Sequence, residues 1–254
     1  MAATSPRIAL VTGANKGIGR AVSRRLGELG LRVYLGARDP DRGRRTEREL
    51  RAEGLDARYV HLDVTDESSA ARAARHIDEE SGRLDALVNN AGTGAPVAPP
   101  SETPVHVVRR TYETNVFGVI AVTNAVLPLL RRSRSARIVN VSSLLGSLAH
   151  AAAREDPSGV FPEGVFPAVL DYNTSKAALN ALTVTYANEL RAEGILVNSV
   201  SPGFVATDIN GHRGHLTPEQ GARLPVLLAT CGDDGPTAAF LGEDGSPAGQ
   251  PLAW

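Results

Sequence analysis

Short runs of apolar residues alternate along the chain with longer stretches in which apolar residues recur at helical spacing. The early runs are apolar without interruption, which is typical of strands that are buried on both faces of a sheet. Strands that alternate with helices in this way predict an α/β fold, a Rossmann-type doubly wound parallel sheet of about seven strands with helices on both faces. The predicted strands are 8–11, 33–35, 59–62, 86–88, 138–141, 195–200 and 239–241, and the predicted helices are 17–29, 41–53, 66–81, 103–131, 172–193 and 217–229.

No internal repeat and no linker rich in Pro, Gly or Ser divides the 254 residues, so we expect a single domain over residues 1–254. Two segments break the alternation of strands and helices. The segment 144–171 is irregular and unusually long for a connection, and such segments are often functional. The region 203–230 is predicted to carry a loop that closes on a substrate.

The composition argues against several classes of protein. The formal net charge is −1, so no global positive field favours nucleic acid. A single cysteine, Cys231, excludes an intramolecular disulfide and a multi-cysteine metal site. The N-terminal apolar run is too short for a signal peptide, and no apolar run approaches the roughly 20 residues of a membrane span. We therefore predict a cytoplasmic protein without a nucleic-acid or membrane partner.

A glycine-rich turn follows the first predicted strand and opens the first predicted helix. Glycines at such a turn let the backbone approach a pyrophosphate, whose charge the helix N-terminus stabilises. The spacing is G-x3-G-x-G, and its place between a strand and a helix predicts dinucleotide binding; the alternative is a plain tight turn. The candidate cofactor contacts here are Gly13, Asn15, Lys16, Gly17, Ile18 and Gly19.

The end of the second predicted strand indicates which dinucleotide binds. In NAD-binding proteins an acidic residue at this place holds the ribose hydroxyls, whereas an arginine accommodates the 2′-phosphate of NADP. Arg38 follows this strand, Lys16 offers a second cation, and Asp39 is interpreted as a helix-start residue. These residues favour NADP(H) over NAD(H). The alternative is that Arg38 belongs to a solvated run of arginines on the next helix.

Two further strand ends carry candidate cofactor contacts. Asp63 and Val64 end the third strand, where a carboxylate is able to accept a hydrogen bond from an adenine amino group. The alternative for Asp63 is an N-cap-like residue of the following helix. Asn90, Ala91 and Gly92 end the fourth strand, where small residues permit close approach to a ribose, although this motif alone is equally typical of a turn.

Tyr172 and Lys176 are four residues apart in a stretch with helical pattern, so both side chains lie on one helix face. A phenol has a pKa of about 10, and a nearby cation lowers that pKa by favouring the phenolate. The pair is therefore a candidate general acid/base. The alternative is an exposed surface pair.

Six motifs follow one another along the chain: Gly13-xxx-Gly17-x-Gly19, Asn89-Asn90-Ala91-Gly92, Asn115, Ser142-Ser143, Tyr172-xxx-Lys176 and Pro202-Gly203. In order and spacing they resemble the short-chain dehydrogenase/reductase family, and within it the NADPH-dependent carbonyl reductases. The resemblance covers about residues 7–210, most of the chain.

The resemblance implies a role for each matched residue. Tyr172 would be the acid/base, and Lys176 would hold the nicotinamide ribose and lower the pKa of Tyr172. Ser143 would hydrogen-bond the substrate carbonyl, and Asn115 would hold a water that relays protons to Lys176. The residues that would cover the nicotinamide are Pro202, Gly203, Val205 and Thr207.

Elementary chemistry supports the same assignment. Hydride transfer to a carbonyl carbon builds negative charge on the oxygen, which hydroxyl donors stabilise and one of them must protonate. Ser143 ends a predicted strand and Tyr172 begins a helix, so both belong to the carboxyl edge of the sheet, where this fold binds ligands. The alternatives are a turn role for Ser143 and a water-facing helix position for Asn115.

Ser143 and Tyr172 are 29 positions apart, about twice the gap in many members of the family, so 144–171 is an insertion before the catalytic helix. Its apolar residues predict a pocket wall for a lipophilic ketone. Alternatively, the insertion packs on the adjacent helix and blocks a subunit interface. In relatives a comparable insertion accompanies a monomeric state, so we expect a monomer or a homodimer and leave a homotetramer open.

The motifs together predict an NADPH-dependent oxidoreductase that reversibly reduces a small ketone or aldehyde to an alcohol. One alternative is a 3-oxoacyl (carrier protein) reductase, which a basic patch near 144–171 would favour. The other is an NADP-binding regulatory protein without catalysis, although such relatives lose the tyrosine or the serine. No metal is expected, since glycines around His212 and His215 argue against a rigid helix that would pair them.

Overall fold

One eight-stranded sheet forms the centre of the protein in the computed structural model, which describes residues 6–162 and 164–254. Residues 1–5 and Glu163, which belong to the predicted domain and insertion, lie outside the described residues. The strands are β1 (Ile8–Thr12), β2 (Arg32–Ala37), β3 (Ala57–His61), β4 (Ala86–Asn89), β5 (Arg137–Val141), β6 (Leu196–Ser201), β7 (Phe240–Gly242) and β8 (Gln250–Pro251). Their order in the sheet is β3-β2-β1-β4-β5-β6-β7-β8, and only the β7–β8 pair is antiparallel.

Nine α-helices surround the sheet within the described residues. They are α1 (Gly17–Glu28), α2 (Pro40–Ala52), α3 (Glu67–Ser81), α4 (Val105–Tyr112), α5 (Gly118–Leu130), α6 (Leu148–Ala153), α7 (Leu170–Leu190), α8 (Pro218–Gly221) and α9 (Arg223–Thr230). The Rossmann-type parallel sheet predicted from the sequence is thereby confirmed, with an added short strand at the edge.

The uninterrupted apolar runs arise because the sheet buries both of its faces. In β1, Ile8 and Leu10 belong to one apolar layer, and Ala9 and Val11 belong to the layer on the opposite face. Successive side chains of a strand point to opposite faces, so each residue from Ile8 to Val11 packs in one of the two apolar layers.

The strand order places the carboxyl ends of β1 and β4 side by side at the centre of the sheet. The chain first runs outward from β1 to β2 and β3, then returns to β4 and continues outward in the other direction. Ligands of open α/β sheets bind at the crevice that this reversal creates.

Three features differ from the elements that the pattern predicts. The strand β8 has only two residues, too few for a periodic signal. The helix α6 lies in the segment expected to be irregular. The single helix predicted over 103–131 contains a π-helical turn, Glu113–Phe117, between α4 and α5.

The helical stretch Val105–Leu130 is longer and more apolar than the sequence-based prediction of no membrane-length apolar run implies. By length and mean hydropathy it is apolar enough to cross a membrane, but 56% of its most apolar window is buried inside the fold. It packs against α3 and α7, so the apolar character is that of a core helix.

Helix starts near the site are set by side-chain caps. The Asp39 carboxylate accepts hydrogen bonds from the amides of Asp41 and Arg42 at the start of α2, which confirms Asp39 as a helix-start residue. The helix α3 is capped by Asp66, so the N-cap alternative for Asp63 is wrong.

Candidate active site

The carboxyl ends of β1, β4, β5 and β6 bring the predicted site residues to one edge of the sheet. The glycine turn follows β1, Asn90 follows β4, Ser143 lies two residues beyond β5, and Pro202 follows β6. Hydrogen bonds join these strand ends. The Thr12 hydroxyl accepts from the amides of Asn90 and Ala91, both at 2.9 Å.

The glycine turn is held in shape by Asn90. Its side-chain amide donates to Thr12 O at 2.8 Å. A Cβ atom at Gly19 would collide with that same amide and with Gly13 O, so the turn requires glycine there. Gly13 and Gly17 have φ values of +64° and +52°, which favour glycine for a second reason. The Asn90 side chain thus supports the turn, and its predicted contact with a ribose remains a prediction.

The first turn of α1 has backbone donors to offer to a ligand. The N-cap residue Lys16 makes no side-chain hydrogen bond to the helix, and Ile18 beside it is only half-buried. Asn15 uses its carbonyl to accept from the Thr46 hydroxyl at 3.3 Å. Open amides at a helix N-terminus form a ready anion site.

Two cations flank this turn, as predicted, but they differ in their partners. Ala14 N donates to Gly36 O at 3.1 Å, so the turn lies beside the end of β2, which leads into exposed Arg38. Arg38 has no ion-pair partner among residues 6–162 and 164–254, whereas the Lys16 ammonium lies 2.6 Å from the Asp208 carboxylate. Arg38 is therefore free to bind an anion, whereas Lys16 must give up its ion pair with Asp208 to do so.

Asp63 closes a local turn rather than capping a helix. One of its carboxylate oxygens accepts from the amide and the hydroxyl of Thr65, at 3.0 and 2.8 Å. Val64 packs on the core layer next to α5, and a Cβ at Gly118 would lie 2.9 Å from Val64 O. Both residues lie at the end of β3, where adenine contacts are predicted.

Tyr172 and Lys176 lie together on α7, where Lys176 is buried and Tyr172 is half-buried. Lys176 is only 4% exposed, which rules out the exposed surface pair. Its ammonium donates to Val141 O at 2.8 Å and lies 5.6 Å from the centre of the Tyr172 ring. The Ser143 side chain lies close enough to the Tyr172 hydroxyl to favour the phenolate and lower the pKa of Tyr172. Ser142 points elsewhere and donates to Lys176 O at 3.4 Å, so the second serine of the motif faces the tyrosine.

Burial moves the pKa values of this pair in opposite directions. It raises the pKa of Tyr172 from 10.0 to about 12, against the lowering effect of the nearby Ser143 side chain. It lowers the pKa of Lys176 from 10.5 to about 8. The lowering of the Tyr172 pKa that the family resemblance implies is thus not produced by the protein alone, because desolvation outweighs the effect of neighbouring groups. The phenol stays protonated at neutral pH.

The buried Lys176 leads to a prediction about stability. An unfolded lysine keeps its proton up to about pH 10.5, whereas folded Lys176 releases it near pH 8. The unfolded state binds more protons in this window, so stability rises with pH across it. Relative to Lys176→Met, the unfolding free energy of the wild type should increase by about 2 kcal/mol between pH 7 and pH 9.5.

The measurement is urea unfolding of the cofactor-free protein at both pH values. Lys16→Met is the matched control, since Lys16 is exposed and is the other lysine of the chain. The control should keep the rise with pH that Lys176→Met loses. An equal rise in the Lys176 variant would show that Lys176 titrates in the folded protein as it does in the unfolded chain.

Asn115 is buried in the π-helical turn, so the alternative of a water-facing position is wrong. Its side-chain amide donates to Thr93 O at 2.8 Å and to the Ser175 hydroxyl at 3.0 Å, and its oxygen accepts from Thr93 N at 2.9 Å. A Cβ at Gly92 would lie 3.6 Å from both the Asn115 oxygen and the Lys176 ammonium. Asn115 and Lys176 thus meet at Gly92.

The segment after β6 lies on the glycine turn. Gly203, next to Pro202, has a φ of +81°, and Val205 is buried and bridges Leu216. The Thr207 methyl group lies 3.4 Å from a Cβ built at Gly17. This segment therefore covers the place where the turn would receive a cofactor.

The two histidines of the loop have separate partners. His212 Nε2 lies 2.9 Å from Asp208 Oδ1, and the ring of His215 lies 6.2 Å from that of Phe204. Within the described part of the chain, no group of three or more His, Cys, Asp or Glu side chains is placed to hold a metal.

The insertion packs on residues from the C-terminal end of the chain, at a place close to Ser143. Phe166 packs against a cluster formed by Leu144, Phe240 and Leu252. Trp254 stacks on Phe240 with ring centres 5.4 Å apart, and its carbonyl accepts from Ala149 N. The insertion is therefore connected to the residue that follows Ser143 in the chain. Sequence periodicity gives no signal for this docking, because the insertion and its C-terminal partners lie from about 75 to about 105 residues apart.

Sequence reasoning also missed the residue directly before the candidate acid/base. Asp171 is 2% exposed, and its carboxylate accepts from the Thr111 hydroxyl at 2.6 Å and from Ala95 N at 3.0 Å. An acidic residue in the first turn of a helix usually faces solvent and complements the helix dipole. Asp171 is buried instead, because α4 and the loop after β4 pack over it.

Comparison with known proteins gives the chain its family. A family model described as "short chain dehydrogenase" matches residues 7–154, and one described as "Enoyl-(Acyl carrier protein) reductase" matches residues 158–248. "Short-chain dehydrogenase/reductase 1" of Saponaria officinalis is 36% identical, over 92% of this chain and 93% of that protein. "Carbonyl reductase (NADPH) 1" of Homo sapiens is 34% identical, over 93% and 96%.

A solved structure extends the similarity to three dimensions. The NADPH-bound carbonyl reductase from chicken fatty liver is 28% identical and aligns with a TM-score of 0.83, over 99% of this chain and 100% of that one. The strand order, the glycine turn and the pairing of Tyr172 with buried Lys176 agree with these matches. The chain belongs to the short-chain dehydrogenase/reductase family.

Proposed function

We propose that this protein is an NADPH-dependent oxidoreductase that reversibly reduces a ketone or aldehyde to an alcohol. The observation that carries the proposal is the proximity of the Tyr172 hydroxyl and the Ser143 side chain, beside buried Lys176 and at the same sheet edge as the glycine turn. The similarity to NADPH carbonyl reductases supports the choice of reaction.

The residues at this edge suit a dinucleotide. The turn after β1 contains a position where only glycine fits, and the open amides of α1 follow it, so the turn is suited to a pyrophosphate. Unpaired Arg38 is suited to a 2′-phosphate. Bound NADPH would supply the hydride. The residues that would hold it are Gly13, Asn15, Lys16, Gly17, Ile18 and Gly19 at the pyrophosphate, Arg38 and Lys16 at the 2′-phosphate, Asp63 and Val64 at the adenine, Asn90, Ala91 and Gly92 at a ribose, Tyr172 and Lys176 at the nicotinamide ribose, and Pro202, Gly203, Val205 and Thr207 at the nicotinamide.

The two hydroxyls have distinct tasks in the proposed reaction. Both donate hydrogen bonds to the carbonyl oxygen, where negative charge develops. Tyr172 then transfers its proton to that oxygen, and its raised pKa keeps it in the required protonated form beforehand. Asn115 and Lys176, which meet at Gly92, are placed to return a proton to Tyr172 through a water.

A substrate panel tests this function. Purified protein is mixed with small and bulky ketones, aldehydes and carrier-bound 3-oxoacyl chains, and the oxidation of NADPH and of NADH is followed. We expect turnover of free ketones or aldehydes, faster with NADPH. Preference for carrier-bound chains would favour a 3-oxoacyl reductase instead. NADPH binding without turnover of any substrate would point to a regulatory protein.

The insertion is proposed to form a wall of the substrate pocket, through Phe166. Because Phe166 packs beside Leu144, its removal should loosen the wall next to Ser143. We expect Phe166→Ala to lower kcat/KM for a bulky aromatic ketone by roughly 5- to 10-fold, the equivalent of about 1 kcal/mol of lost apolar contact. A two-carbon aldehyde should be affected much less.

The control for this variant is Val165→Ala, which truncates the neighbouring, exposed side chain. Steady-state kinetics on both substrates provide the comparison. If Phe166→Ala lowers the two kcat/KM values by the same factor, Phe166 supports the fold near the site without shaping the pocket.

A further inference from the structure

A strip of three residues, Thr93-Gly94-Ala95, runs alongside the catalytic tyrosine without belonging to a helix or a strand. Irregular backbone of this kind has no ladder of its own, so its buried polar groups need side-chain partners. In this strip they are supplied by two helices. The Asn115 side chain accepts from the amide of Thr93 and donates to its carbonyl. The Asp171 carboxylate accepts from the amide of Ala95.

Gly94, between the two clamped residues, touches the Tyr172 ring. A Cβ at Gly94 would lie 3.1 Å from Cδ2 of Tyr172, closer than an ordinary van der Waals contact. The backbone of the strip therefore rests against one edge of the ring. The Ser143 side chain lies near the hydroxyl at the other end of the ring.

Asp171 is the less expected of the two clamps. It is 2% exposed, and within the described residues its carboxylate has no Lys, Arg or His partner. A buried carboxylate is costly unless hydrogen bonds compensate it. Here one oxygen serves two donors, the Thr111 hydroxyl on α4 and Ala95 N in the strip, and the N-terminus of α7 adds its dipole.

We propose that Asp171 is a positioning residue for the reaction: it ties the 93–95 strip to α4 and α7 and so fixes the ring of Tyr172 against Gly94. Its role differs from that of Asn115, which clamps the opposite end of the strip. This inference rests on the proposed function for its effect on turnover, but the restraint on the ring exists without it.

The first test compares Asp171→Ala with Asp171→Asn. Alanine removes the acceptor for both donors, whereas asparagine keeps one oxygen that is able to accept from both. Since a displacement of about 1 Å at a reacting group costs up to about 10²-fold, we expect Asp171→Ala to lower kcat by roughly 10- to 30-fold. KM and the Kd for NADPH should stay within about 2-fold, and Asp171→Asn should restore kcat to within about 3-fold of the wild type.

Two further variants keep the proposal testable if Asp171→Ala does not fold. Thr111→Val removes one of the two donors and should lower kcat in the same direction by a smaller factor. Gly94→Ala presses directly on the ring, and the backbone φ at Gly94 lies outside the left-handed region, so the added methyl group is its main effect. It should lower kcat without changing NADPH affinity.

A spectroscopic readout separates this proposal from the proposed function. The chain has five tyrosines, so 3-fluorotyrosine labelling gives five ¹⁹F signals, and Tyr172→Phe identifies the one from residue 172. We expect the signal of residue 172 to be one sharp line in the wild type and in Asp171→Asn. In Asp171→Ala this line should be shifted or broadened.

Two results would overturn the positioning role. One is an unchanged ¹⁹F line together with unchanged kcat in folded Asp171→Ala. The other is an equal loss of kcat in Asp171→Asn and Asp171→Ala with an ordered ring, which would assign the effect to the charge. Absence of carbonyl reduction in the wild type would count against the proposed function alone, since the ¹⁹F signal needs no turnover.

Discussion

Tyr172→Phe should lower kcat for ketone reduction by about 10²- to 10⁴-fold, the contribution typical of a general acid. The variant loses the phenolic proton, and phenylalanine has nothing to donate to the developing alkoxide. The ring itself remains, so its contact with Gly94 and the packing of α7 are preserved. We therefore expect the melting temperature to change little.

The matched control is Tyr186→Phe. Tyr186 lies on the same helix, and its hydroxyl donates to the Asn124 side chain, away from the site. This variant should keep wild-type turnover. Single-turnover kinetics with NADPH and a ketone measure the chemical step in both proteins. Turnover of Tyr172→Phe within a few-fold of the wild type would remove Tyr172 from the role of acid.

Arg38→Asp should shift the ratio of kcat/KM for NADPH over that for NADH by about a hundredfold or more toward NADH. A charge-assisted hydrogen bond to a phosphate contributes roughly 1.5–3 kcal/mol, and the new carboxylate repels the phosphate while accepting from ribose hydroxyls. Arg38 is exposed and unpaired within the described residues, so the substitution breaks no existing ion pair.

Arg45→Asp tests the alternative that any arginine of this run would serve. Arg45 lies on α2, is well exposed, and approaches Glu49 only at 3.9 Å, so it makes the same charge change on a solvated helix face. The ratio should be unchanged in this control. Equal shifts in both variants would mean that long-range charge, and no specific contact at Arg38, sets the preference.

Lys16 is expected to contribute less to this preference than Arg38. Its ammonium is already paired with Asp208, and both groups are about half exposed. Exposed ion pairs of this kind are weak, so a phosphate is able to compete for the lysine. Breaking the Lys16–Asp208 ion pair still offsets part of the free energy that Lys16 gains from the phosphate. Arg38 has no such pair to break within the described residues.

The sequence by itself determined the layered α/β fold and the location of the site. Strands buried on both faces are rich in apolar residues, and a glycine turn between a strand and a helix has few other uses, so both features are visible in local patterns. Asp39 is a further example, because a helix cap depends on residues two or three positions away.

Only the tertiary structure decided what each polar side chain of the site contacts. It showed that Ser143 and not Ser142 lies near the Tyr172 hydroxyl, that Lys176 is buried against Val141, and that Lys16 pairs with Asp208. These partners lie from about 30 to almost 200 residues apart, and no periodicity records such distances.

Asp171 shows the same limit most clearly. In the sequence it is an acidic residue in the first turn of a helix, a position that favours solvent. In the folded protein, α4 and the 93–95 strip close over it and turn it into a buried acceptor beside the catalytic tyrosine. Local sequence determines which elements form, whereas the packing of distant elements determines which of their polar groups lose water and must bind one another.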